Sequence, residues 1–414
     1  MTALYSVLHL LVDGICALAM FGKFIPLKEG YFYILLYNFC AFALQMPFGA
    51  ALDILCGKGG KNGKGKPDPA FSTAVAGVLC TIVGAFTHPL VLGVGNALFH
   101  VGGGVGTIRE DHAAGSCGAR LGVFVAPGAL GLYLGSLIVE RSGSEKGISG
   151  NLEGFVAGDA MAVIRQAAVG PDCWLLGGVV FMLVLLALGG LYLSKQAGKD
   201  LTGGKGKRRP DTMLPAVGVL PKEGTSVQGI RLAFCCMLVV VLRSYVGMAV
   251  SFPWKSGMAA GLLGVLAVVG GKAVGGILAA RFGARKTVVF SLLLAAACYL
   301  LSSWMPLGLA ALFLFQMTMP VTLYRMACGF PGMPGFAFGF LTFALFLGFL
   351  PVYFEAPCPW SGSVLGSLGS VLSLLLLWAG TGMTIRKTRA PQKEAVTAAC
   401  GGNGERGRGE KLSD

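Results

Sequence analysis

Long apolar runs separated by short polar breaks dominate this 414-residue chain. A helix needs about 20 mostly apolar residues to cross a bilayer. By that measure spans are predicted near 3–22, 31–55, 70–88, 89–107, 118–139 and 173–194. Six more follow near 232–252, 257–280, 287–304, 306–326, 334–354 and 362–385. His88-Pro89 and Met305-Pro306 supply the turns within the two closest pairs. Residues 195–230 are polar and rich in Gly and Lys, and residues 386–414 have a polar, glycine-rich composition that predicts disorder. The pattern reads as an all-α membrane protein of twelve transmembrane helices in two pseudo-symmetric six-helix halves. The halves are 1–194 and 231–385, with 195–230 as a cytoplasmic linker and 386–414 as a tail. Such a repeat is a transporter signature, with the solute site expected at the midplane between the halves.

Composition agrees. Hydrophobic residues make up 55% of the chain and charged residues 13%, against roughly 25% charged in a soluble domain. Most of the surface must therefore face something other than water. The 65 glycines suit helices that approach closely in a membrane. A net charge of +14 would suggest nucleic acid in a soluble protein, but here the basic residues sit in loops. One side receives Lys58, Lys61, Lys64, Lys66, Arg109, Arg120, the 195–231 block, Arg281, Arg285, Lys286, Arg325 and the tail. The other receives only Lys23, Lys28, Arg141, Lys146, Arg165 and Lys255. The positive-inside rule makes the first group cytoplasmic, together with both termini. The chain is thus expected in a bacterial inner (plasma) membrane, as a monomer, with lipid as a partner and no nucleic acid.

The N-terminus lacks a basic region and a small-residue cleavage site, so the first apolar run reads as a retained span. The 12 cysteines show no CxxC spacing, and Cys173 and Cys358 fall on the outer surface as a possible pair. No nucleophile–base arrangement, ATPase motif or phosphate-cradling loop occurs, so neither an enzyme nor a cofactor is expected.

Loop residues carry a family resemblance. Gly276-Ile-Leu-Ala-Ala280-Arg281-Phe-Gly283-Ala-Arg285-Lys286 resembles the G-x-x-x-D-R-x-G-R-R loop of the major facilitator superfamily, with Ala280 where Asp is usual. Gly49-Ala-Ala-Leu-Asp53, followed by Cys56-Gly57-Lys58, resembles the same loop in the first half, without the Arg after the Asp. The resemblance implies the major facilitator fold, with these loops holding one side of a transporter shut. Asp53 would do so by pairing with basic groups or a helix N-terminus of the other half.

A narrower resemblance, to the fosmidomycin-resistance type of efflux protein, lies in Gly93-Val-Gly95-Asn96-Ala-Leu-Phe99-His100-Val-Gly102-Gly103 and in His9-Leu-Leu-Val-Asp13. It implies efflux. Span 5, from Gly122 through Ala126-Pro127-Gly128 to Gly131, is similar to the exchanger motif of drug/proton antiporters, with the Pro-Gly order inverted.

Ionisable residues at membrane depth point to the site independently. A charge at a helix centre costs roughly 2.5–3.5 kcal/mol on insertion scales, so such residues mark pathways by default. Asp13 lies midway along span 1 and Arg243 midway along span 7. A shift of 230 residues lays one on the other, which predicts opposite charges facing each other across a central cavity. Asp13 can carry the driving proton, and Arg243 can hold an anionic substrate group bidentately. The alternative is a permanent ion pair tying the halves together.

His9 is one turn from Asp13 on the same helix face, and His100 has the same spacing from Asn96. Either histidine can relay protons. His9, Asp13 and His100 can also be read as ligands for Zn, Ni or Co. No fourth ligand is evident and Arg243 repels a cation, so no metal is expected. Lys272 either faces the cavity or snorkels to the surface. Asn38, Gln45 and Gln316 either bind substrate or stitch helices together. The expected function is proton-coupled secondary transport of a small organic, conceivably anionic, compound, with efflux favoured over uptake. A transport-dead sensor on the same fold would have no reason to bear the insertion cost of these charges.

Overall fold

The computed structural model describes residues 1–59, 68–141, 171–202 and 223–381, and among them every regular element is helical. Helix α1 (Thr2–Ala19) runs on through a π-helical turn to Phe24. Helices α2 (Gly30–Asn38) and α3 (Gln45–Gly59) join through a second π-helical segment, Phe39–Ala43. Helices α4 (Pro69–Phe86) and α5 (Pro89–Ala114) each start with proline in the first turn, where its missing N–H costs no hydrogen bond. The Asp68 carboxylate caps α4, and Gly115 ends α5 in a left-handed conformation. Helices α6 (Ala119–Val125) and α7 (Pro127–Arg141) form one broken span. After α8 (Pro171–Thr202) come α9 (Glu223–Ala249), α10 (Met258–Phe282) and α11 (Ala284–Leu300). Helices α12 (Met305–Gln316) and α13 (Thr318–Gly329) share a span, followed by α14 (Pro334–Tyr353) and α15 (Gly362–Thr381).

Among the described residues, 10 stretches are long and apolar enough to cross a membrane, and the chain is an integral membrane protein. The predicted spans 173–194 and 287–304 coincide with α8 and α11. The second is a helix of 17 residues, and the described apolar part of the first is Leu175–Gly190. Helices also reach into the predicted linker, α8 to Thr202 and α9 from Glu223. The rest of the linker, the tail, the Lys61–Lys66 run and the Cys173 side chain lie outside what is described. Large apolar side chains such as Leu176, Val180, Phe290, Leu293 and Leu375 are exposed on the helix surfaces. In water that would be costly, but in lipid it is the expected outer face.

Helix α1 packs on α5, α6, α7 and α8, while α9 packs on α13, α14 and α15. The earlier and later parts of the chain meet along α3–α14 and α6–α10. The α3–α14 contact is backbone to backbone. A Cβ at Gly49 would overlap the Gly335 carbonyl, and one at Gly335 would overlap Gly49 in return. Small residues are what allow two helices to approach so closely in a bilayer.

Candidate functional site

The candidate site begins with a break in one span. Pro127 has no N–H, so the carbonyl of Val123 loses its helical donor, and α6 stops at Val125 before α7 resumes. Neighbours on α1 take the carbonyls this break leaves free. Ser6 Oγ donates to Val123 O at 3.2 Å, and His9 Nδ1 donates to Phe124 O at 2.7 Å. Gly128 then lies directly against the cluster: a Cβ there would collide with His9 Nε2 and Asp13 Oδ2. The sequence reading noted the Pro-Gly pair without foreseeing that it holds His9.

Four predicted residues, His9, Asp13, Asn96 and His100, meet at this break. His9 Nε2 lies 3.2 Å from Asp13 Oδ2, and His100 Nε2 lies 3.8 Å from Asp13 Oδ1. Asn96 Nδ2 donates to Asp13 Oδ1 at 3.0 Å. His9 Nε2 and His100 Nε2 are 2.8 Å apart. His100 Nδ1 donates to Asn96 O at 2.9 Å, one turn back on its own helix. His9 is almost wholly buried, and Asp13 is half-buried.

Hydrogen-bond accounting narrows the arrangement of protons in this cluster. Backbone carbonyls only accept, so both Nδ1 atoms carry protons. A neutral imidazole has one N–H, which leaves both Nε2 atoms as bare lone pairs facing each other. At 2.8 Å that contact needs a proton between them. The Asp13 carboxylate lies beside this contact.

The donor atoms also lie within 4.8 Å of one another, as a metal site would need. Two nitrogens sharing a tetrahedral Zn at about 2.0–2.1 Å would sit roughly 3.4 Å apart. The observed 2.8 Å is a hydrogen-bond length.

Arg243 finds its hydrogen-bond partner within the later part of the chain. Its Nη2 donates to Thr318 Oγ1 at 2.5 Å on α13, its buried Nε has no partner, and no carboxylate among the described residues forms an ion pair with it. Asp13 and Arg243 are not a pair. Lys272 of α10 is half-buried and lies within electrostatic reach of both, so it faces the interior and does not snorkel. Gln316, two residues before Thr318, buries an Oε1 that also has no partner. Asn38 and Gln45 bond back to their own helices, at Ile34 O (2.8 Å) and Ala41 O (2.6 Å). Gln45 is wholly buried with its Oε1 unmatched.

The predicted gating loops divide. Asp53 accepts from the N–H groups of Gly335 and Phe336, both at 2.8 Å. A carboxylate thus caps the N-terminus of α14, with helix dipole and charge-assisted hydrogen bonds acting together. Gly276 packs against the Gly118 backbone. Arg281 and Arg285, by contrast, stay within the later part of the chain. Arg281 is exposed over Phe282, and Arg285 stacks over Trp378 at 4.7 Å. Gly283 forms the turn between α10 and α11. With Ala280 in place of Asp, the second loop has no carboxylate with which to copy the Asp53 contact.

Sequence reasoning did not anticipate a clasp at the far end of the same helix pair. Tyr31 Oη donates to Tyr353 O (2.7 Å), Tyr353 Oη donates to Tyr31 O (2.9 Å), and the rings stack at 4.3 Å. Both ends of the contact of α2 and α3 with α14 are therefore fastened.

No protein-family model matches the sequence, and neither does any curated protein. Solved structures do. The human organic anion transporter MFSD10 (TETRAN) is 15% identical, with a TM-score of 0.53 over 91% of this chain and 98% of its own. The E. coli fucose:proton symporter FucP is 12% identical, with a TM-score of 0.50 over 91% of this chain and 97% of its own. At such identities the likeness is one of fold, which the chain shares with these two transporters.

Proposed function

We propose that the protein is a proton-coupled secondary transporter of the major facilitator type. Its twelve spans form two six-helix halves, 1–194 and 231–385, that rock about a midplane site. The His9–His100 pair and Asp13 carry the coupling proton, and Arg243 and Lys272 receive a small organic anion. The observation that carries this reading is the 2.8 Å contact between two Nε2 atoms whose Nδ1 partners are both committed to carbonyls. That contact stores a proton in the protein's interior, beside a carboxylate that neutralises it. Two cations with no ion-pair partner among the described residues stand close by, suited to an anion arriving from water.

Coupling follows from charge. Lys272 feels Asp13, His100 and Arg243 at once, so losing the shared proton leaves the Asp13 carboxylate unbalanced and changes how firmly the cations hold an anion. Efflux is the direction that the resemblance of His9–Asp13 and Gly93–Gly103 to fosmidomycin-resistance proteins implies. The Asp53 cap and the Tyr31–Tyr353 clasp act as the two gates, one at each end.

Flux of small organic anions into proteoliposomes under an imposed pH gradient tests the reading. Wild type is expected to accumulate or expel substrate according to the sign of the gradient, which also separates efflux from uptake. Asp13→Asn is expected to lose pH-driven flux and keep substrate exchange. Undiminished pH-driven flux in that variant would remove Asp13 and its histidines from coupling.

A further inference from the structure

The cluster around Asp13 is also arranged as a set of metal ligands. A metal-bound histidine usually donates its other ring N–H to a backbone carbonyl or a carboxylate, which fixes the tautomer and aims the free lone pair. Both histidines are held in that way, His9 Nδ1 on Phe124 O at 2.7 Å and His100 Nδ1 on Asn96 O at 2.9 Å. Both Nε2 lone pairs therefore converge on one small space, and Asp13 adds its oxygens to it. The edges of this donor triangle are 2.8 Å between the Nε2 atoms, 3.2 Å from His9 Nε2 to Asp13 Oδ2, and 3.8 Å from His100 Nε2 to Asp13 Oδ1. Ligands bound to one tetrahedral ion at about 2.0–2.1 Å stand roughly 3.3–3.4 Å apart, and the three edges bracket that length. Seating an ion opens the Nε2 pair by about half an ångström, which side-chain rotation supplies.

We propose that His9 Nε2, His100 Nε2 and a carboxylate oxygen of Asp13 form a binding site for one divalent transition ion of the zinc class. Two imidazoles and one carboxylate suit Zn, Co or Ni, whereas Mg and Ca take oxygen ligands. Asn96 Nδ2 holds Asp13 Oδ1 at 3.0 Å, which fixes the carboxylate where it closes the triangle. The side chains of Asp13 and His100 are 21% and 12% exposed. The cluster is therefore not sealed, and water can complete the coordination on its open side. Arg243, the residue expected to repel a cation, bonds to Thr318 on α13 instead. Lys272 lies within electrostatic reach of Asp13 and weakens the site without filling it.

All three ligands come from α1 and α5, so the ion does not tie the earlier part of the chain to the later part. It acts by occupying the lone pairs that the coupling proton would use. The binding site stands on the geometry, and only the blocking of flux by a bound ion rests on the transport reading above.

The test uses the untagged full chain in detergent, with cobalt(II) as the probe because its absorption reports ligand type and geometry. Wild type is expected to bind one ion, with visible bands of nitrogen and oxygen coordination and no sulfur-to-cobalt charge transfer. Zinc added afterwards is expected to displace the cobalt and bleach those bands. His100→Gln and Asp13→Asn are each expected to weaken binding at least about tenfold. A variant carrying both His88→Ala and His112→Ala is expected to bind as wild type does. No uptake by wild type, sulfur bands, undiminished binding in His100→Gln, or weakened binding in the His88 and His112 variant would each overturn the site. In proteoliposomes, zinc is expected to cut pH-driven flux at least about tenfold, and a chelator to restore it. Undiminished flux with the ion bound would overturn the blocking role. Absence of pH-driven flux even without zinc would count against the transport reading and leave the cobalt result standing.

Discussion

The two polar clusters at membrane depth differ in one respect that matters. Around Asp13, the polar atoms find partners within the first part of the chain: His9, His100 and Asn96 around the carboxylate, and Phe124 O and Asn96 O for the rings. Around Arg243, the guanidinium has Thr318 and little else, with its Nε and Gln316 Oε1 buried and unmatched. Leaving a buried donor without a partner costs about 1–3 kcal/mol, and more for a charged one. The first cluster is therefore satisfied largely by its own side chains and backbone. The second leaves one buried donor, Arg243 Nε, and one buried acceptor, Gln316 Oε1, without a partner among the described residues. In the proposed reading the first cluster serves the proton and the second the anion.

Substitutions can break this contrast. The largest effect is expected at Arg243. Arg243→Ala should weaken anion binding on the order of 100-fold, in line with truncating one partner of a buried charged contact, and leave the pH dependence of the protein's own protonation in place. Equilibrium binding across a panel of small carboxylates, with neutral amides as controls, reads this directly. Binding unchanged in the variant would place the anion elsewhere.

A middle-sized effect is expected from Gly128→Ala. Its methyl would occupy the space of His9 Nε2 and Asp13 Oδ2, so coupling should fall about tenfold or more. Stability should drop by about 1–3 kcal/mol through overpacking. Anion binding at Arg243 should be spared, and its loss to a similar degree would show that the clusters are not separable.

The smallest is Asp53→Asn. One of the two acceptor oxygens becomes a donor facing backbone N–H groups, and the charge at the α14 N-terminus is lost. The end held by Asp53 should open more often, by roughly 5- to 30-fold for a loss of about 1–2 kcal/mol. Thiol labelling of a cysteine placed beneath that gate measures the shift. Unchanged labelling would mean that the cap is not a gate.

Much of this was legible from spacing. His9 and Asp13, and Asn96 and His100, are each four residues apart on one helix, so their shared faces follow from helical geometry. The Asp53 cap was readable because a carboxylate near a helix end seeks an N-terminus. The alternative of a permanent Asp13–Arg243 ion pair fails for an instructive reason. Repeat equivalence places two residues at matching positions in their halves, but contact needs their helices to pack, and α1 packs on α5–α8 while α9 packs on α13–α15. The residue that senses both charges is Lys272, which spacing left undecided between cavity and surface. Phe124 O, which sets the His9 tautomer, has no side-chain signal at all. Only the missing N–H of Pro127 hints that carbonyls before it are free. The Tyr31–Tyr353 clasp joins residues 322 apart, a distance that no local pattern spans.

The chain has only 4 histidines, which makes the proton itself observable. Nitrogen NMR of protein labelled at histidine is expected to show His9 and His100 each protonated at Nδ1, with one further proton shared between their Nε2 atoms. Asp13→Asn should disturb that shared proton. A spectrum with both rings neutral, or with either Nδ1 lacking its proton, would contradict the account.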